Sequence, residues 1–163
     1  SDYINNKDEF TLNAALIINK KPTIGIITAP AKKRVFYSYG FSNSYELVNN
    51  NEINLMNKKK NYNGITAVSY SHELKPEILE IHKKNNIISY QKIKSSLKFC
   101  VIAAGEFDMY VAEPRACEWD IAAGHAILEH AGGQITDFNG NRILYGKPEF
   151  KNPSLILKNK NIL

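Results

Sequence analysis

Three short stretches carry residue types that can act on a phosphate. In "EWDIAAGHAIL", Glu118 to Leu128, an acid (Asp120) follows the only tryptophan, Trp119, and leads into two alanines and a glycine at the head of an apolar helix. An Asp at a helix entrance is a natural cap, because it accepts backbone N–H bonds and the macrodipole favours it. The small residues behind it suggest a second use, since bare backbone lets an anion approach free N–H groups. A Mg²⁺ ion between Asp120 and a phosphate suits the same arrangement, because that ion uses one or two carboxylates plus substrate oxygens. Residue types alone leave cap and ligand both open.

In "KSSLKF", Lys94 to Phe99, the hydroxyls of Ser95 and Ser96 precede a helix whose first turn holds Lys98. The helix dipole disfavours a cation there. An anion bound beside Lys98 offsets that penalty; a capping Ser with a snorkelling surface Lys is the plain alternative. "SYSH" sets His72 at the end of an apolar strand, where ligand sites of open α/β sheets gather. A lone His is as readily structural. His82, His125 and His130 show no metal-ligand spacing and read as packing or surface residues.

The elements that must position these groups alternate. "EFTLNAALIIN" and "TIGIITAP" form a hairpin across "KKP", and "KRVFYSYG" alternates as a third strand. The polar region from Ser42 to Asn63 reads as loop with a short helical piece. "GITAVSYSH" and "IISYQKI" are strands, with a helix over "KPEILEIHKKNN" between them. "SSLKFCVIAAG" is a short helix closed by Gly105, "FDMYVA" a strand, and a helix starts at Trp119 or Asp120. "GGQITDF", an "NGNR" turn and "PSLILKN" complete the pattern. The fold class expected is α/β, a layered mixed sheet with packed helices.

With 163 residues, 44% of them apolar, the chain can bury one core of ordinary size. Its net charge of +5 comes mostly from scattered Lys; Arg stands only at positions 34, 115 and 142. The run Lys58-Lys59-Lys60 has no aromatic interleaving and reads as a solvated loop, so no nucleic-acid partner is expected. Cys100 and Cys117 make no disulfide framework, which points to a reducing, cytoplasmic setting. No run is long enough for a membrane span, and "SDYINNKDEF" lacks the form of a secretory leader.

Taken together and in order, the stretches are similar to a known family. "WDIAAGHAIL" resembles the second signature of the inositol monophosphatase superfamily of metal-dependent phosphatases. "SYSH" followed by "SSLKF" resembles its CysQ-type branch, the 3'(2'),5'-bisphosphate nucleotidases that take 3'-phosphoadenosine 5'-phosphate to AMP. The resemblance implies the C-terminal part of the inositol monophosphatase-like (sugar phosphatase) fold, with Asp120 as metal ligand and catalytic residue. It implies that His72, Ser95 and Lys98 contact the phosphates of a small phosphorylated nucleotide. The family's Tyr-Pro-Arg segment would place its Arg on Ala112; Arg115 in "VAEPRACE" takes that role after a small shift of the loop. Lys94 stands where the family usually carries Gly.

Most metal ligands of that family come from an earlier acidic segment and an Asp-Pro-Leu-Asp-Gly-Thr motif, which would end just before Ser1. The expectation is therefore that residues 1–163 are the C-terminal portion of such an enzyme, with a weak Mg²⁺ site of one ligand. Two-metal phosphate hydrolysis needs ions about 3.5–4 Å apart, which one carboxylate cannot hold. Little or no phosphatase activity is expected of this chain alone, and uncovered apolar surface should favour self-association or docking of an N-terminal half. An inositol or sugar phosphatase of the same superfamily, and a non-catalytic remnant or interaction domain, are the alternatives.

Overall fold

The computed structural model describes residues 8–59 and 63–163. The expected hairpin is β1 (Leu12–Ile18) and β2 (Lys21–Ala29). It turns at Asn19 and Lys20, one residue ahead of the basic run, and their φ values of 49° and 63° are the positive pair a two-residue hairpin turn requires. β3 (Arg34–Gly40) follows as expected.

The stretch expected as loop instead extends the sheet. β4 (Asn43–Val48) and β5 (Asn51–Asn54) lie within it, joined through Asn49 and Asn50, also at positive φ. The helical piece is a single 3-10 turn at Leu55–Asn57, and residues 60–62 of the lysine-rich stretch lie outside the described residues. β4 was hidden because its buried positions are polar. Ser44 Oγ donates to the Ile127 carbonyl at 2.8 Å, and Glu46 is held by Arg34 Nε and Lys58 Nζ, each at 2.8 Å. Lys58 lies in a loop as expected, but its ammonium pairs with a buried acid instead of being freely solvated.

β1 to β5 form an antiparallel sheet in chain order. The second sheet holds β6 (Ile65–Ser69), β7 (Ile87–Lys92), β8 (Met109–Ala112), β9 (Gln134–Thr136) and β10 (Leu155–Lys158). Its order is β7-β6-β8-β10-β9, with β6 parallel to β7 and β8 and the rest antiparallel. The helices are α1 (Pro76–Lys84), α2 (Leu97–Ala103) and α3 (Glu118–His130). α3 packs on β1, β2 and β3, α2 lies between α3 and the mixed sheet, and α1 covers that sheet's far face. This is the layered α/β architecture expected.

The main core, with Ile27, Phe36, Phe99, Ile102, Ile127 and Leu157, fills the space around α2 and α3; a smaller one lies under α1. The spacing there is tight. A Cβ on Gly25 of β2 would stand 2.4 Å from the Ala123 carbonyl oxygen, and one on Gly124 would stand 2.3 Å from Phe99 Cγ. The small residues after Asp120 are therefore explained by α3 being squeezed between β2 and α2. They are buried, and the reading that they clear the way for a ligand is corrected. On the sheet face away from α3, Leu12, Leu16, Ile24 and Ile26 are exposed. No described helix is long and apolar enough to cross a membrane.

Candidate functional site

The first turn of α3 gives Asp120 a capping role. The N-cap is Cys117, the helix starts at Glu118, and Asp120 is its third residue. Asp120 Oδ2 reaches back to accept from the Cys117 amide at 2.8 Å, the returning half of a capping box. Its other oxygen has no hydrogen bond among the described residues. The side chain is exposed and lines an open cleft of about 530 Å³. Asp120 thus serves as a capping residue with one oxygen and faces the cleft with the rest.

Trp119 does not join the core. It is 62% exposed and rests tilted against Phe150. The neighbour that the sequence reading passed over, Glu118, is the buried one. Its oxygens accept from the amides of Gly146 and Lys147, both at 2.9 Å, and pair with Lys147 Nζ at 2.7 Å. Burial raises its pKa, but Lys147 and the two amides more than offset that and hold the carboxyl below its ordinary value.

The opposite wall of the cleft comes from "KSSLKF". Lys98 is only 6% exposed, so it is not the snorkelling surface Lys of the plain alternative. Its ammonium folds back to donate to the carbonyls of Lys94 at 2.9 Å and Ser95 at 2.8 Å, and it sits over the Tyr110 ring. Those carbonyls answer part of the penalty for a cation in a first helical turn. Burial pushes its pKa down to about 8, helped by the charge of Arg115 and opposed by Glu9 and Asp120. Ser95 Oγ accepts from the Leu97 amide at 3.3 Å. Arg115 lies with its guanidinium carbon 3.5 Å from the centroid of Tyr70, whose hydroxyl donates to Glu113 at 3.0 Å.

Ser95, Lys98, Arg115 and Asp120, from separate parts of the chain, therefore line one cleft. His72 does not join them. It is exposed in an adjoining depression that shares Glu9 and Lys94 with the cleft. Ser96 was noted as a helix-opening hydroxyl but its positioning role was missed. It donates to the Asp120 carbonyl at 3.0 Å and accepts from Asn13 at 2.9 Å, tying β1 and the start of α2 to α3. Its adjacency to Ser95 was the available signal. Tyr70 and Glu9 had none, since their partners lie far along the sequence.

The Mg²⁺ site implied by the resemblance is not built by these residues. Among the described residues no three His, Cys, Asp or Glu side chains come together as a metal-holding group. Asp120, with one oxygen engaged by an amide, offers at most a single ligand, whereas a hard divalent cation needs several oxygens at once.

Known proteins are similar to this chain in sequence and fold. Residues 1–162 match the inositol monophosphatase family. The 3'(2'),5'-bisphosphate nucleotidase CysQ of Salmonella typhimurium is 32% identical over 154 residues, covering 93% of this chain and 61% of that protein. The CysQ of Escherichia coli K12 is 32% identical over 158 residues, again covering 61% of its length. The crystal structure of CysQ from Bacteroides thetaiotaomicron superposes with a TM-score of 0.81 at 30% identity, covering 98% of this chain and 66% of that one. The chain thus spans about 61% of the length of these curated relatives.

Proposed function

The chain belongs to the inositol monophosphatase family, and from that premise we propose that its cleft holds the phosphate of a nucleotide ester, as the C-terminal portion of a 3'(2'),5'-bisphosphate nucleotidase. The reaction in this reading is hydrolysis of 3'-phosphoadenosine 5'-phosphate to AMP and phosphate. The observation that carries it is the gathering of Ser95, Lys98, Arg115 and Asp120 on one cleft. The relatives at 32% identity support the nucleotide substrate over an inositol or sugar phosphate.

The roles follow from charge and geometry. The Arg115 guanidinium, stacked on Tyr70, presents a fixed planar donor suited to phosphate oxygens. Lys98 adds a second positive charge from inside the wall, where low exposure weakens screening. Ser95 supplies a hydroxyl on the same side. Asp120 is anionic and would repel a bare phosphate, so its place in the cleft is consistent with a cation from the family's chemistry. Mg²⁺ dependence belongs in this reading to the longer protein, which would supply the remaining ligands; this chain alone is inactive or nearly so. The exposed apolar face around Leu12, Leu16, Ile24 and Ile26 supports docking of that N-terminal half. Two unpaired cysteines fit a cytoplasmic setting.

The test pairs binding with turnover. The isolated chain should bind AMP, lose that binding in Arg115→Met, and release no phosphate from 3'-phosphoadenosine 5'-phosphate in Mg²⁺. An AMP affinity indifferent to Arg115→Met would overturn the cleft assignment. Turnover by the lone chain that Asp120→Ala abolishes would overturn its assignment as an inactive portion.

A further inference from the structure

Arg115 brings its guanidinium to the cleft from the loop between β8 and α3, where it is exposed. An exposed loop does little to fix so long a side chain, and ordering it costs rotamer entropy. The support comes from behind it. The guanidinium carbon lies 3.5 Å from the ring centroid of Tyr70, and Tyr70 packs against both hydrophobic cores. The Tyr70 hydroxyl donates to Glu113 Oε1 at 3.0 Å, and Lys75 Nζ, from the head of α1, lies 3.2 Å from the same oxygen. Burial raises the pKa of Glu113, but its own backbone amide, Tyr70 and Lys75 more than offset that and hold the carboxyl below its ordinary value. The acceptor is therefore a carboxylate at neutral pH.

Glu113 stands two residues before Arg115 in the chain, yet its Oε1 is spent on Tyr70 and Lys75. Its Oε2 is buried with no hydrogen-bond partner among the described residues, a cost that packing alone leaves unexplained. An acid paired directly with the guanidinium would occupy the N–H edge that a phosphate needs. Acting through the ring instead, Glu113 leaves that edge open. A hydroxyl that donates to a carboxylate also makes its ring richer in electrons, which strengthens the stack on a cation. We propose that Tyr70 and Glu113 are positioning residues of the cleft: the carboxylate fixes the ring through its hydroxyl, and the ring holds Arg115 with its N–H edge turned to a phosphate. Glu113 itself does not line the cleft, so it acts without touching the ligand. The inference rests on the reading of the cleft as a phosphate site.

The experiment is calorimetric titration of the full 163-residue chain with AMP. Glu113→Ala and Glu113→Gln remove the same negative charge, which by itself would tighten the binding of an anion. Only Gln keeps an acceptor for the Tyr70 hydroxyl. Glu113→Ala should nevertheless bind AMP about threefold more weakly than the parent, and Glu113→Gln at least about fivefold more tightly than Glu113→Ala. Tyr70→Phe breaks the same hydrogen bond from the ring side and should also lose about threefold; joined to Glu113→Ala it should lose no more than about twofold beyond either change alone. A nuclear magnetic resonance readout needs no ligand: the Arg115 Nε–H proton, lying over the ring, should resonate upfield in the parent and return to an ordinary position in Tyr70→Leu. Should Glu113→Ala fail to fold, Tyr70→Phe and this resonance decide. Equal affinities in the two Glu113 variants, tighter binding in Glu113→Ala than in the parent, or an unshifted Arg115 resonance overturns the positioning pair. If Arg115→Met still loses AMP, the cleft reading then stands without it. An AMP affinity that Arg115→Met leaves unchanged, or no binding of AMP by the parent, overturns the cleft reading and the positioning role together.

Discussion

On one side of the first turn of α3, Glu118 keeps 7% of its surface in contact with solvent and accepts from two amides and an ammonium. On the other, Asp120 stands exposed at the cleft, with a single amide on one oxygen. The two carboxylates are neighbours in sequence and opposite in use. An acid that serves the fold is saturated with donors and withdrawn from water; an acid available to a ligand keeps an oxygen open. Removing each in turn should separate them. Glu118→Ala strands two buried amides and Lys147, and should lower stability by about 3 kcal/mol, or roughly 6–12 °C in Tm for a chain of this size. Asp120→Ala should cost less than about 1 kcal/mol, the value of one exposed capping bond. Urea unfolding of both variants checks this, and equal costs would erase the distinction.

The cleft side can be sharpened by pH. Lys98 has its pKa pushed down to about 8, chiefly by burial. Raising the pH through that value removes the ammonium's charge. Sulfate is the suitable probe because its charge is constant across the range. Its affinity should fall about tenfold between pH 7 and pH 9, following the protonated fraction of Lys98. In Lys98→Met the binding should be weak and flat over the same interval. A parent protein whose sulfate affinity does not change across it would show that Lys98 takes no part in the cleft's charge.

How much of this was legible beforehand depends on the range over which each signal acts. Strands with apolar inward positions announced themselves, β2 and β6 as β-rich apolar runs and β3 through alternation. β4 did not, because Ser44 and Glu46 fill its inward positions and their partners, Ile127 and Arg34, are reached only through the fold. At the site, motif spacing brought Ser95, Lys98 and Asp120 forward. It misjudged the reason for the small residues, since the contacts of Ala123 with Gly25 and of Gly124 with Phe99 are made between separate elements. Glu118 was overlooked for the same cause. Its donors lie 28 and 29 residues further along, and no local pattern distinguishes it from Asp120.

Trp119 sits between the two acids and provides the smallest test. A lone tryptophan beside a motif invites the view that it anchors the turn in the core, and a buried one would cost about 3–5 kcal/mol on truncation. Here the ring is largely in water and touches Phe150 at a centroid distance of 5.9 Å. Trp119→Ala should therefore cost less than about 1 kcal/mol, the worth of one partly exposed aromatic pair. Phe150→Ala should cost about as little, because its ring is also about half exposed. Since this is the only indole, its fluorescence reports on the same question: emission should be red-shifted in the folded protein and move little on unfolding. A blue emission maximum that shifts strongly in urea, with a large loss in Trp119→Ala, would mean that the turn is held by its aromatic face. The contrast between Glu118 and Asp120 would then no longer explain how the cleft is kept in place.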